Sequence, residues 1–285
     1  MKFAVFTVMM PEIPYTEAPA LLKKYGYDGV EWRFTSISEE KRQDSPSFWG
    51  NNLCTLDSNA DPSVWTEVHR LTEQAGLTVP NIASYITCGD LQAVEQAMKA
   101  AVILQAPSIR VGAPGYDRKI GFDALFQKTR EFLSGVSALS EQYGIQGLVE
   151  IHHNTIIPSA SAARRLVEGF DPKRIGVIYD SGNMVYEGYE QTLMGLQILG
   201  EYLAHVHVKN AKWAPTNEKE ITAGHAAHWQ ASWEGISNGI IHWPQVIQDL
   251  KTFGYDGWLS YEDFSGTLPT DRALQDNLAY IRSLL

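Results

Sequence analysis

Tyr25-Gly26-Tyr27-Asp28-Gly29-Val30-Glu31 and Phe253-Gly254-Tyr255-Asp256-Gly257-Trp258-Leu259 read almost alike from opposite ends of the chain. In each, an aromatic–glycine pair closes an amphipathic stretch and an apolar run follows. Glycine just past a helix accepts the left-handed backbone that a Cβ would strain, so the pair marks a join from helix to strand. Tyr143-Gly144 marks a third such join. The echo is that of one repeated β–α unit, not of a solenoid.

Working outward, short apolar runs predict strands at 3–7, 28–33, 78–84, 108–112, 147–152, 175–180, 203–209 and 257–262. Between them, apolar residues at i, i+3, i+4 and i+7 predict helices near 15–25, 61–75, 90–105, 122–143, 158–168, 189–200, 243–253 and 270–284. The stretch 122–143, for example, stacks Phe122, Leu125, Phe126, Thr129, Phe132, Leu133, Val136 and Leu139. Strand–helix alternation of this kind predicts an α/β protein, a (β/α)8 TIM barrel. An open doubly wound sheet would carry a Gly-rich phosphate turn after its first strand, where this chain has Val8-Met9-Met10-Pro11. No linker or charge block divides the sequence, so residues 1–285 are expected to form a single domain.

Two connections are too long for simple turns. Residues 34–60 carry Trp49, and residues 210–240 carry Trp213, Trp229, Trp233, His225 and His228. Long aromatic-rich loops on the C-terminal side of barrel strands predict a lid or substrate wall. The 285 residues hold 23 Lys+Arg against 33 Asp+Glu, a net charge of −10. That balance speaks against nucleic-acid or anionic-membrane partners, which need clustered cations. Cys54 and Cys88 have neither metal-ligand spacing nor a disulfide framework, which fits a reducing compartment. The opening Met1–Thr7 run is too short for a signal core, and no run reaches the ~18 apolar residues of a membrane span. A cytoplasmic protein, with homo-oligomerisation open, is the expectation.

The chemistry sits late in the chain. Glu150 ends Gly-Leu-Val-Glu, Asp180 ends Gly-Val-Ile-Tyr-Asp, His207 lies in Ala-His-Val-His-Val-Lys, and Glu262 ends Trp-Leu-Ser-Tyr-Glu. A polar residue closing an apolar strand stands at the rim of a barrel, where strand ends converge. Three carboxylates gathered there would repel one another unless a cation sat among them. Oxygen ligands with one imidazole suit Mn²⁺ foremost, with Mg²⁺, Co²⁺ or Zn²⁺ as alternatives.

Val149-Glu150-Ile151-His152, Asp180-Ser181-Gly182-Asn183, His205-Val206-His207-Val208-Lys209 and the run from Tyr255 to Glu262 resemble the xylose-isomerase-like sugar isomerase/epimerase superfamily. The resemblance covers nearly the whole chain, by motif in its last half and by pattern before that. It implies one divalent metal ion bound by Glu150, Asp180, His207 and Glu262, with Glu150 and Glu262 also the catalytic acid/base pair. It selects His207 over His205 because the family follows that histidine with x-Lys-Asp. Asn210 departs from the family's aspartate, and Asn183 stands where some relatives place a histidine.

The residues agree with that implication. A metal-chelated sugar carbonyl acidifies the adjacent C–H, and carboxylates from two strands can work on opposite faces. The expected function is a metal-dependent isomerase or epimerase acting on a small, unphosphorylated carbohydrate or polyol-derived ketone. Its rival is a lyase that begins with the same proton abstraction and expels a β-substituent from a keto-sugar or 3-keto-glycoside. Expected substrate contacts are His152, Asn183, Lys209, Arg33, Arg110 and Trp213. His205, His207 and Lys209 share one face by strand parity, as do Glu31 and Arg33, for which an internal glutamate–arginine pair is the alternative.

Overall fold

A computed structural model describes residues 1–216, 224 and 226–285. Its strands are β1 (Lys2–Phe6), β2 (Gly29–Phe34), β3 (Thr55–Leu56), β4 (Ile82–Ser84), β5 (Ser108–Val111) and β6 (Gln146–Glu150). They continue with β7 (Ile175–Asp180), β8 (Leu203–Val208), β9 (Asn210–Pro215), β10 (Trp229–Glu234) and β11 (Trp258–Tyr261). The helices are α1 (Ala18–Tyr25), α2 (Pro62–Gln74), α3 (Leu91–Leu104), α4 (Phe122–Tyr143), α5 (Ala160–Val167), α6 (Ser181–Tyr186), α7 (Thr192–Leu199), α8 (Trp243–Phe253) and α9 (Thr270–Arg282).

Strands β1, β2, β4, β5, β6, β7, β8 and β11 pair in that circular order, all parallel, and β1 closes the ring by bonding both β2 and β11. The (β/α)8 barrel read from the alternation is the fold. Parity explains its two layers. Val149, Val177, Tyr179, Val206 and Val208 pack into the core shared with the helices, whereas Glu150, Asp180, His205 and His207 alternate with them and face the barrel axis. The glycines foreseen as helix stops are left-handed, with φ of +92° at Gly26, +69° at Gly144 and +85° at Gly254.

Four details depart from the sequence reading. The strand expected at 78–84 is only Ile82–Ser84, because Pro80 has no N–H to give a ladder. The helix expected from residue 15 starts at Ala18, with Pro19 in its first turn. Helix α6 was not foreseen: Asp180 ends β7 and at once caps α6, its Oδ1 accepting the Asn183 N–H at 2.8 Å. The 210–240 connection is not an irregular loop; β9 and β10 form an antiparallel hairpin within it. His225 lies outside the described residues.

Candidate metal centre and its cavity

The four residues read from the strand ends meet. Glu150, Asp180, His207 and Glu262 each bring one ligand atom within 4.8 Å of the others, and all four are buried. Their elements bring them there directly: Glu150 and Asp180 are the last residues of β6 and β7, and His207 faces the axis from β8. Glu262 follows β11, its N–H bonded to the Val208 carbonyl at 3.0 Å. His207 turns Nδ1 toward the carboxylates, 3.1 Å from Glu150 Oε1, 3.5 Å from Glu262 Oε2 and 3.7 Å from Asp180 Oδ2. Its other nitrogen, Nε2, lies 3.2 Å from Glu31 Oε1.

Three cations balance this acidity. Arg110 binds Glu150 Oε2 at 2.6 Å. The Lys209 ammonium lies 2.7 Å from Asp180 Oδ2 and 2.5 Å from Glu262 Oε2. Protonated His207 is the third. Burial alone would push its pKa down, but Glu262, Glu31, Asp180 and Glu150 outweigh that and hold it well above the usual imidazole range. Burial would likewise raise Glu150, yet Arg110, His207 and Lys209 hold it well below the usual carboxylate range. Glu262 goes the other way. Burial, with Glu150 and Asp180 beside it, pushes it up to about 7 against the pull of Lys209 and His207.

The donor set fits a divalent ion. Three carboxylates and one imidazole nitrogen are the ligands of a borderline-hard cation. Glu262 Oε2 is buried without an aligned hydrogen bond, despite the nearby ammonium, which leaves a lone pair for a ligand. A metal bound at His207 Nδ1 would take the lone pair that a proton there would otherwise use.

Above the cluster opens a cavity of about 510 Å³, lined among others by Arg110, Glu150, His152, His153, Lys209 and Glu262. One wall is aromatic. Trp49 and Phe264 have ring centroids 4.8 Å apart and Phe264 and Trp233 5.9 Å, while Tyr186, outside the lining, packs 4.6 Å from Trp233. Lys209 Nζ sits 5.0 Å from the Trp233 ring centre and 5.3 Å from that of Phe264. The 210–240 connection contributes Trp233 to the cavity lining, and the other long connection, 34–60, adds Trp49.

Of the expected substrate contacts, His152, Lys209 and Arg110 line the cavity. Asn183 does not; it is fully buried, donating to Asp180 Oδ2 at 2.9 Å and to the Ile151 carbonyl at 3.1 Å, and its Oδ1 lies 3.0 Å from His153 Nδ1. Arg33 also lies off the cavity, buried and donating to Thr55 Oγ1 at 2.5 Å. Trp213 is corrected too. Its indole is spent on the Val185 carbonyl at 2.6 Å, and it stands opposite Ala231, one pleat repeat from Trp233 on the same face. His228 lies on the exposed hairpin rather than in the cavity.

The pair considered between Glu31 and an arginine is instead a Glu31–histidine pair. Oε2 of Glu31 meets His205 Nε2 at 3.1 Å while Oε1 meets His207 and accepts from Asn81 Nδ2 at 2.7 Å. Asn81 in turn accepts from Ser108 Oγ at 2.8 Å. Sequence reading missed Asn81, Tyr85 and Phe264. The signal available for the last two was an aromatic residue directly after, or two residues after, a strand-end polar group. Asn210, flagged as a departure, donates to the carbonyls of Ile236 at 2.8 Å and Ile241 at 3.1 Å, which ties down the hairpin's base. An aspartate has no proton for either bond at neutral pH.

Fold and site together define a parallel βα barrel with an acidic, metal-competent mouth. The family description "Xylose isomerase-like TIM barrel" matches residues 19–284, and the chain belongs to that family. Inosose dehydratase of Geobacillus thermodenitrificans (strain NG80-2) is 26% identical over 137 residues, 46% of this chain and 44% of that protein. The chain thus spans about half the length of the curated relatives it matches. Among solved structures, 3-keto-D-glucoside 4-epimerase YcjR from E. coli superposes with a TM-score of 0.73 at 17% identity, covering 99% of both chains. IOLI protein with a bound zinc atom gives 0.73 at 14% identity, covering 100% of this chain and 99% of that one. At these identities the structural matches establish the fold. Among the described residues, no helix is long and apolar enough to cross a membrane.

Proposed function

We propose that the protein is a divalent-metal-dependent sugar isomerase or epimerase that removes the proton α to a ketone of an unphosphorylated carbohydrate or polyol. The observation that carries this reading is the shared centre of Glu150, Asp180, His207 and Glu262, with both glutamates also lining one cavity. Those four residues would hold the ion, Mn²⁺ by preference of the donor set, with Mg²⁺, Co²⁺ or Zn²⁺ as alternatives. When bound, the ion supplies Lewis acidity toward the substrate carbonyl and charge stabilisation for the enediolate.

The protein's own groups do the rest. Arg110 keeps Glu150 ionised, so Glu150 starts as the base. Glu262 is the second acid/base group; in the metal-free protein, burial beside Glu150 and Asp180 pushes its carboxyl up to about 7. Proton removal by one glutamate and return by the other to the same carbon inverts the centre; return to the neighbouring carbon isomerises the sugar. His152 and Lys209 offer donors to substrate oxygens, Lys209 with its charge already directed at the cluster. Asn183 positions Asp180 and His153 from below, and Glu31 orients His207.

The likeness to inosose dehydratase supports a second reading, β-elimination from a keto-polyol or 3-keto-glycoside. There the same base removes the α-proton, the C–O bond to the β-substituent breaks, and the second carboxylic acid protonates the departing oxygen. The test is to incubate the Mn²⁺-loaded protein in D₂O with D-fructose, D-psicose and a methyl 3-keto-glucoside. Deuterium entering at the α-carbon together with a C-epimer or aldose supports the first reading. Leaving-group release with no epimer selects elimination, and absence of exchange from every ketone, with Mn²⁺ binding intact, overturns both.

A further inference from the structure

A second cavity of about 500 Å³ adjoins the first, and the two share Ser84, Tyr85 and Ile86 at their boundary. Each volume lies within the ~300–1,000 Å³ typical of small-ligand sites. The second lies on the opposite side of the barrel mouth from the aromatic wall, between the ends of β2 and β4 and the start of α3. Its lining is made of neutral hydrogen-bonding side chains: Thr35, Ser58, Asn59, Thr87, Gln92 and Gln96. Thr35, Thr87 and Gln92 engage no side-chain partner among the described residues. Among the described residues the one charged lining residue is Asp90, and its carboxylate is committed to the Ala93 N–H as the cap of α3. Tyr85 forms the partition. It is 41% exposed, and its ring is held by the guanidinium groups of Arg110 at 4.7 Å and Arg33 at 5.1 Å from the ring centre.

We propose that this cavity is a second subsite, which takes a neutral polyhydroxylated ring joined to the reacting sugar, so that the substrate is a keto-sugar glycoside rather than a free monosaccharide. Amides and hydroxyls each both donate and accept, which matches a ring of hydroxyls. A phosphate or carboxylate would need a cation, and among the described residues no lysine or arginine lines this cavity. Tyr85 offers an apolar face to the linkage between the two rings. Arg33, off the first cavity, thereby has a part: it braces the partition. The proposal rests on the reaction proposed above for the metal centre and names the class of substrate that reaction would act on.

The experiment compares D-fructose with the ketose disaccharides maltulose, turanose, isomaltulose and lactulose, using the Mn²⁺-loaded protein and the Gln92→Leu/Gln96→Leu double variant. Gln92 is exposed and Gln96 half-buried, donating to the Ser58 carbonyl at 3.5 Å, so the fold of the double variant is checked by circular dichroism. Deuterium exchange gives kcat/KM, and calorimetry gives binding whether or not turnover occurs. At least one disaccharide is expected to exceed D-fructose by tenfold or more, and that ratio is expected to collapse toward one in the double variant. Equal constants for single and double rings, or an advantage that survives the double substitution, overturn the subsite. If no ketone exchanges but a disaccharide still binds tenfold better and loses that margin in the variant, the subsite stands and the assigned reaction falls.

Discussion

The two halves of the barrel mouth use charge differently. On the half built from β6, β7, β8 and β11, Glu150, Asp180, His207 and Glu262 point their ligand atoms at one another. On the half built from β2, β4 and β5, the buried polar groups are spent on bracing: Glu31 on the two histidines, Asn81 on Glu31, Ser108 on Asn81, and Arg110 on Glu150. One half would do the chemistry and the other would hold it still. Buried carboxylates are tolerable only where paired or metal-bound, so a reactive cluster needs such a braced counterpart.

Substitutions on each half can break or sharpen this contrast. Glu262→Gln removes a group expected to exchange the proton, and α-deuterium exchange should fall by about 10²–10⁴-fold with the circular dichroism spectrum retained. Glu31→Gln, on the bracing half, should weaken Mn²⁺ binding by about 10–100-fold in calorimetry while the metal-free protein stays folded. If Glu31→Gln abolished exchange at saturating Mn²⁺ without touching affinity, the division of labour would be misdrawn.

A third effect follows from protons. Without metal, Glu262 titrates near 7 and His207 stays protonated above the ordinary imidazole range. Both ligands must be deprotonated to bind, so metal binding releases protons and affinity rises with pH. Below pH 7, apparent affinity should fall by about tenfold per unit for each proton displaced, and calorimetry in buffers of different ionisation enthalpy counts those protons. The smallest effect compares two tryptophans of one hairpin face. Trp233→Ala should raise KM several-fold, because Trp233 lines the cavity, and Trp213→Ala should leave it near its starting value. Equal effects from both would mean that the hairpin acts as a whole and not through Trp233.

The reactive half was the more legible one. Each of its residues interrupts or ends an apolar strand, and a polar side chain at a strand's C-terminal end in a βα alternation has one place to go. The bracing half left weaker marks. Glu31 is flanked by apolar neighbours too, but its partners His205 and Asn81 come from other strands, and no spacing in sequence joins them. Arg33 and Arg110 look equivalent as strand arginines. Only Arg110 reaches the cavity, since Arg33 is drawn to Thr55 on the short strand β3. Asn183 read as a substrate contact because it follows Asp180 in a motif; the capped turn of α6 instead buries it beneath the cluster.

Sequence alone determined the barrel, through alternating periods of two and 3.6 residues and glycine stops, and the polar residues at its rim, with His207 chosen over His205 only by the family resemblance. Those are local properties: parity fixes which way a strand residue points, and a closed parallel ring makes strand ends converge. Tertiary structure decided everything that depends on distances between strands far apart in the chain. It chose Trp233 over Trp213 for the wall, gave Glu31 to the histidines, and opened the neutral cavity behind Tyr85. Side-chain partnership across a barrel is set by which groups fill the shared interior first, and no pattern along one strand encodes that.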